Sequence, residues 1–107
     1  VDDRPIAPVI TIYRELLAAG HRVEIWSGRS DEVREQTHAW LDRHVAPGTV
    51  VTRMRARRDY RPDVELKEGW LLEETTRPDI IFDDRQAVVD MWRRHGLICA
   101  QVAPGDF

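Results

Sequence analysis

The sequence predicts an α/β fold, a mostly parallel sheet covered by helices on both faces, and three observations predict it. Helical and strand-like patterns alternate along the whole chain, beginning with a helix. The strand-like segments are short apolar runs, the pattern of strands buried on both faces. Each of the first three runs then hands polar residues to one rim, the carboxyl ends of the strands, where open parallel sheets bind their ligands.

The elements follow in order. Residues 9–20 place Val9, Ile10, Tyr13, Leu16 and Leu17 at helical spacing and end in Gly20. Residues 22–26 form an apolar run broken by Ser27 and Gly28, which predicts a strand. Ser30 or Asp31 can cap a second helix with Val33, Thr37, Trp40, Leu41 and Val45 on one face, ended by Pro47 and Gly48. Residues 49–54 are a β-branched run read as a strand, and residues 53–61 read as a polar loop. Pro62 and Asp63 open a helix reaching about residue 75, packed through Leu66, Trp70 and Leu71. A strand over 79–82, a helix over 87–95 with Ala87, Val88, Met91 and Trp92 inward, and a last strand over 97–102 complete the chain.

Composition narrows the function classes. The chain has 107 residues, 42% hydrophobic and 33% charged, which is the balance of one globular domain or part of one. Sixteen basic against nineteen acidic residues give a net charge of −3, which excludes a polybasic nucleic-acid coat and gives no support to membrane-surface binding. Any polyanion contact must be local. No run approaches the roughly 18 apolar residues of a membrane span, and the first residues lack the pattern of a secretory signal. The single Cys99 cannot form an internal disulfide, so a cytoplasmic setting is expected.

Three groups of residues carry chemical content. Asp83 and Asp84 follow a hydrophobic strand directly, where they read either as oxygen ligands for Mg2+ or as a helix N-cap. Ser27 and Gly28 read either as a hydroxyl and amides offered to an anion or as an ordinary turn, with Arg29 either gripping phosphate or solvated beside them. Lys67 is the only lysine in a chain of fifteen arginines, either an accident of composition or a site wanting a compact ammonium. Phosphate is the anion that suits a hydroxyl, cations and a metal site together. Arg53, Arg55, Arg57, Arg58 and Arg61, with Tyr60 available for stacking, form either a nucleic-acid end-binding patch or a solvated face. His21, His38, His44 and His95 have no metal-ligand spacing and read as surface or packing residues.

These strings resemble a known family. WSGRSDEV resembles the second motif of the haloacid dehalogenase-like phosphatases, Lys67 falls where their third-motif lysine stands, and IIFDDR is similar to their fourth, acidic motif. The run from Asp83 to Phe107 is similar to the end of the 3'-phosphatase domain of bacteriophage polynucleotide kinase-phosphatases. The resemblance covers the chain from Pro5 to Phe107.

It implies a haloacid dehalogenase-like, Rossmannoid three-layer fold with a parallel sheet, of which residues 1–107 are the C-terminal part of a single phosphatase domain. The family's first, central strand ends in DxDGT, and this sequence contains no such motif; the Asp2–Asp3 pair has neither the apolar strand before it nor Gly-Thr after it. The nucleophilic aspartate is therefore expected upstream of Val1, and the isolated chain is expected to be inactive. Absence of an interior strand leaves two backbone ladders to be filled, by an upstream segment or by exchange between copies. By the resemblance, Ser27 holds a phosphoryl oxygen, Arg29, Arg55 and Lys67 bind phosphate, Asp83 and Asp84 hold Mg2+, and Arg85 supports the acidic pair. Arg57 and Arg58 engage the neighbouring polynucleotide.

The implied activity is Mg2+-dependent hydrolysis of DNA or RNA 3'-phosphate ends in a bacterial or phage-infected cell, with a kinase domain upstream as a further expectation. Two other readings stand beside it: a phosphatase of nucleotides or small phosphomonoesters, and a catalytically dead binding or assembly module.

Overall fold

In the computed structural model, which describes residues 6–105, the chain forms two compact units, Val1–Asp59 and Tyr60–Phe107. Each holds a two-stranded parallel sheet, so the alternating pattern has produced parallel pairing in both. Among the described residues no helix is long and apolar enough to cross a membrane. Asp2 and Asp3 lie outside the described residues.

The first unit opens with α1 (Ala7–Ala18), which has Pro8 in its first turn, where a missing N–H costs no helix hydrogen bond. Gly20 takes φ 86° just after it, the left-handed conformation that ends a helix cheaply. Ser30 Oγ accepts the Glu32 N–H at 3.2 Å, capping a 3-10 turn that leads into α2 (Arg34–His44). Leu41, Val45 and Val51 form the buried centre of the unit, with Ile10, Tyr13, Ile25, Trp40 and Met54 packed against them. Leu17, expected on the inner face of α1, is exposed. Arg14 Nε donates to the Val45 carbonyl at 2.6 Å, joining α1 to the end of α2 and satisfying a carbonyl the helix leaves open.

Both strands of this unit lie later than the apolar runs predicted. β1 is Trp26–Ser30 and β2 is Arg53–Arg55, paired with Trp26 opposite Arg53, Ser27 opposite Met54 and Ser30 opposite Arg55. The expected strands over 22–26 and 49–54 are corrected accordingly. The apolar residues serve packing in place of pairing: Val51 is buried beside Leu41 and Val45, and its N–H donates to His38 Nε2 at 3.2 Å. Ser27, Gly28 and Arg29 therefore lie inside β1, at an irregularity in the ladder between Ser27 and Ser30, and not in a turn beyond the strand.

In the second unit, α3 (Asp63–Glu73) buries Leu66, Trp70 and Leu71, as the sequence predicts. It ends short of residue 75 because Glu74 is already extended. β3 (Ile81–Asp83) and β4 (Cys99–Gln101) pair residue for residue, Ile81 with Cys99 and Asp83 with Gln101. Asp83 is thus the last residue of its strand, where the sequence had placed the break. Between them, α4 (Gln86–Arg94) buries Val88, Val89, Met91 and Trp92. Ala87 is exposed, correcting its expected place: at 100° per residue it lies about 120° from the centre of that face, and Val89 takes the position. His95 Nε2 meets Glu68 Oε2 at 2.6 Å, tying the end of α4 to α3. The Gln86 N–H donates to the Gly105 carbonyl, holding the chain end against the start of α4.

Glu24 is the polar clasp of the first unit. Its Oε1 accepts the Trp26 indole N–H at 3.0 Å and the Thr52 hydroxyl at 3.2 Å, while Oε2 meets Arg22 at 2.6 Å. The Trp26 bond, then those of Thr52 and Arg22, hold its carboxyl below the usual glutamate range against the opposing effect of burial. A carboxyl whose folded value is depressed adds stability above its unfolded value and loses it as pH falls through the folded one. Glu24→Gln is therefore expected to unfold less steeply between neutral and acid pH than the parent, as followed by circular dichroism against pH.

Candidate active site

The end of β3 gathers a group of charged side chains in the second unit. Asp83 projects from the last position of the strand with its side chain only 12% exposed. Its Oδ1 accepts the Asp84 backbone N–H at 2.8 Å, and its Oδ2 accepts the Trp92 indole N–H at 3.1 Å. Lys67, on the second turn of α3, places Nζ 3.6 Å from Asp83 Oδ2 and 3.5 Å from Asp63 Oδ2. Arg85 NH1 stands 3.9 Å from the same Asp63 oxygen. The ammonium thus lies between two carboxylates, each of the three side chains about one-eighth exposed.

This arrangement follows from local sequence. Asp63 opens α3 behind Pro62, where a carboxylate favours the helix N-terminus, and Lys67 is four residues on, on the same face. β3 stops at Asp83 and α4 starts at Gln86, so Asp83, Asp84 and Arg85 occupy one short connection. Trp92 is buried on α4, and its indole N–H must find an acceptor.

The donor set fits a hard cation. Asp84 is half-buried, and its carboxylate makes no hydrogen bond or ion pair among the described residues. Asp83 keeps acceptor capacity, since a carboxylate offers about four lone-pair sites. Among the described residues no three His, Cys, Asp or Glu side chains gather as a metal cage. Two adjacent carboxylates are nonetheless what Mg2+ commonly uses, completing its shell with water and substrate phosphate. Cys99, beside the group on β4, is buried; burial, and then the Asp83 charge, push its thiol above the usual range, so it stays a neutral packing group.

The first unit gathers a different set. Ser27 Oγ accepts the Arg29 backbone N–H at 3.2 Å, leaving its own hydroxyl hydrogen available. Ser27 does not cap a helix, because Ser30 does. Arg55 lies beside this segment, its Nε donating to the Gly28 carbonyl at 2.7 Å and its NH1 to the Asp59 carbonyl at 2.9 Å. Arg57 pairs with Glu32 at 3.2 Å, and Arg58 is exposed at φ 65°. Arg53 stacks over the Trp26 ring at 5.3 Å. The residues predicted over 53–61 as one polar loop are therefore divided between β2 and a turn, with much of their donor capacity used internally.

Asp63 and Trp92 are the residues of the site that the sequence reading did not assign to it. The Asp63–Lys67 spacing of four was a readable signal; the Trp92–Asp83 bond, made across a strand and a helix, had none.

The comparisons with known proteins decide the family. Residues 1–107 match the family described as the polynucleotide kinase PNKP phosphatase domain. The chain belongs to that family. Membership agrees with the haloacid dehalogenase-like resemblance of the sequence motifs, and the two short parallel sheets are consistent with part of the family's Rossmannoid core. Solved structures of the Pnkp1/Rnl/Hen1 RNA repair complex contain a chain similar to this family member at 35% identity and a TM-score of 0.89, covering 99% of this chain and 35% of that one. A chain in the Pnkp1/Rnl/Hen1 complex is similar at 35% identity and a TM-score of 0.88, covering 99% of this chain and 38% of that one. The family member thus spans little more than a third of the chains it matches.

Asp63 is the acceptor that holds Lys67 and Arg85 on one oxygen, and neutralising it leaves both cations with less compensation. Asp63→Asn is expected to lower the unfolding free energy by about 1–3 kcal/mol, measured by urea denaturation.

Proposed function

We propose that this chain is the C-terminal part of a phosphatase domain that removes 3'-phosphates from polynucleotide ends. The observation that carries the reading is the group at the end of β3, a half-buried Asp84 carboxylate without a partner among the described residues, next to a Lys67–Asp83 pair whose side chains are only about one-eighth exposed, in a chain of this family. Asp83 and Asp84 would hold Mg2+, which would neutralise phosphate charge and help orient the ester. Carried over from the family's motifs, each within its own unit, Lys67 is a compact positive charge for phosphoryl oxygens, Ser27 a hydroxyl donor and Arg29 a guanidinium for phosphate. Arg85 steadies Asp63 and with it the ammonium. An aspartate of a DxDGT strand supplied by the parent protein attacks phosphorus as the P–O3' bond breaks, the motif's second aspartate gives the departing oxygen its proton so that it leaves as a 3'-hydroxyl, and water then hydrolyses the aspartyl-phosphate to inorganic phosphate.

The name of one similar assembly, an RNA repair complex, supports RNA ends as the favoured substrate, and both names support other components of such a complex as partners. The small share of those chains that is matched supports a longer parent protein; an upstream kinase domain and a cytoplasmic setting are proposals that belong to the same reading. A second reading, hydrolysis of small phosphomonoesters, is favoured by one observation: Arg55 and Arg57 are engaged within the unit, leaving less of the arginine segment for a polynucleotide.

Phosphate release separates these readings. The parent protein with Mg2+ is expected to release phosphate from 3'-phosphorylated RNA, and Lys67→Met is expected to lower kcat by about 100- to 1,000-fold. The 107-residue chain alone is expected to release none. Arg57→Ala with Arg58→Ala is expected to reduce turnover of an oligonucleotide more than that of a 3'-mononucleotide. Equal effects on both substrates would favour the small-molecule reading, and no release from either nucleic acid would overturn the proposal.

A further inference from the structure

We infer that Trp92 is a positioning residue for metal binding, its indole N–H fixing the plane in which the Asp83 carboxylate faces the cation. The inference deepens the proposed function and rests on its reading of Asp83 as a Mg2+ ligand. Trp92 is 2% exposed, and its Nε1–H donates to Asp83 Oδ2 at 3.1 Å from a helix nine residues further along the chain. The Asp84 backbone N–H takes Oδ1 at 2.8 Å. The two oxygens are thus each held by one N–H, one from the strand-to-helix connection and one from α4, and the carboxylate cannot turn about its last torsion without breaking both.

The choice of residue matters chemically. An indole nitrogen is a donor only, neutral at all working pH values, so it orients a carboxylate without competing for its charge. Lys67 already supplies the positive charge at 3.6 Å from the same oxygen. A second cation there would favour the carboxylate but repel a metal ion. A neutral donor satisfies the buried oxygen and leaves its remaining lone pair for a ligand. The ring is anchored by packing, since Val88, Val89 and Met91 on the same helix are fully buried. The arrangement is the carboxylate counterpart of the partner groups that orient histidine ligands from behind, whose loss commonly weakens metal binding about 10- to 100-fold.

The test uses the parent protein and Mn2+ alone as the probe, with binding measured by titration calorimetry and melting temperature measured on the same samples. Trp92→Phe keeps the ring and removes the donor; Trp70→Phe, the same change at another buried tryptophan of the same unit, reports what loss of an indole that does not bond Asp83 does. Trp92→Phe is expected to weaken Mn2+ binding about 10-fold, whereas Trp70→Phe lowers the melting temperature and leaves affinity within about twofold of the parent. In an Asp83→Asn background, Trp92→Phe is expected to add no further loss of affinity. Unchanged affinity in Trp92→Phe, or equal losses in both tryptophan variants, would overturn the inference. A parent protein that binds no Mn2+ would overturn it together with the assignment of Asp83 and Asp84. Weakened Mn2+ binding in a protein that hydrolyses no 3'-phosphate would uphold the role of Trp92 while the substrate reading fails.

Discussion

Lys67 lies between two carboxylates with its side chain only 12% exposed, and bonds from three elements of the second unit make that withdrawal from water tolerable. Taking an ammonium and a carboxylate out of water costs several kcal/mol each, and their attraction offsets this only when the remaining donors and acceptors are satisfied. Asp83 meets that demand with the Asp84 N–H and the Trp92 indole, and Asp63 meets it by holding Lys67 and Arg85 on one oxygen. These bonds come from α3, the end of β3 and α4, so three elements must keep their places for any one charge to be compensated. Such a group is weak evidence of stability and better evidence of chemistry, since an apolar core would be cheaper to build.

The first unit is held differently. Its sheet is one irregular pair of strands, and long side chains supply what the ladder does not: Arg14 closes the end of α2, Arg55 joins β2 to Gly28, and Glu24 ties Trp26 to Thr52. An arginine fork can bond two carbonyls and still present a face to an anion, which a lysine cannot do as well. Arg55 is thus bonded to the Gly28 and Asp59 carbonyls, and Ser27 lies next to the first of these with a hydroxyl hydrogen to give. Side chains already held by such bonds lose little freedom on meeting an anion, which suits the phosphate-binding role proposed for both.

Much of this was legible from residues alone. The helical faces around Leu41 and Leu66 appear where periodicity puts them, because a large apolar stripe at 3.6-residue spacing has one sensible use. Strands were less legible: an apolar run marks what is buried, and in Val51 burial and pairing part company, with the ladder starting two residues later at Arg53. The acidic pair at Asp83 and Asp84 was visible as a motif and Lys67 as the one lysine. Trp92 was visible only as core, since a hydrogen bond between a helix and a strand end depends on tertiary placement that no local spacing encodes.

If Lys67 and Asp83 form one compensated unit at the end of β3, their substitutions must couple in a double-mutant cycle. Lys67→Met, Asp83→Asn and the double variant of the parent protein would be compared by urea denaturation. The account predicts strong coupling, each single change costing more than its share and the pair of changes costing less than their sum by about 1–3 kcal/mol. Costs that add to within about 0.5 kcal/mol would contradict it, showing two independent charges that merely lie near each other.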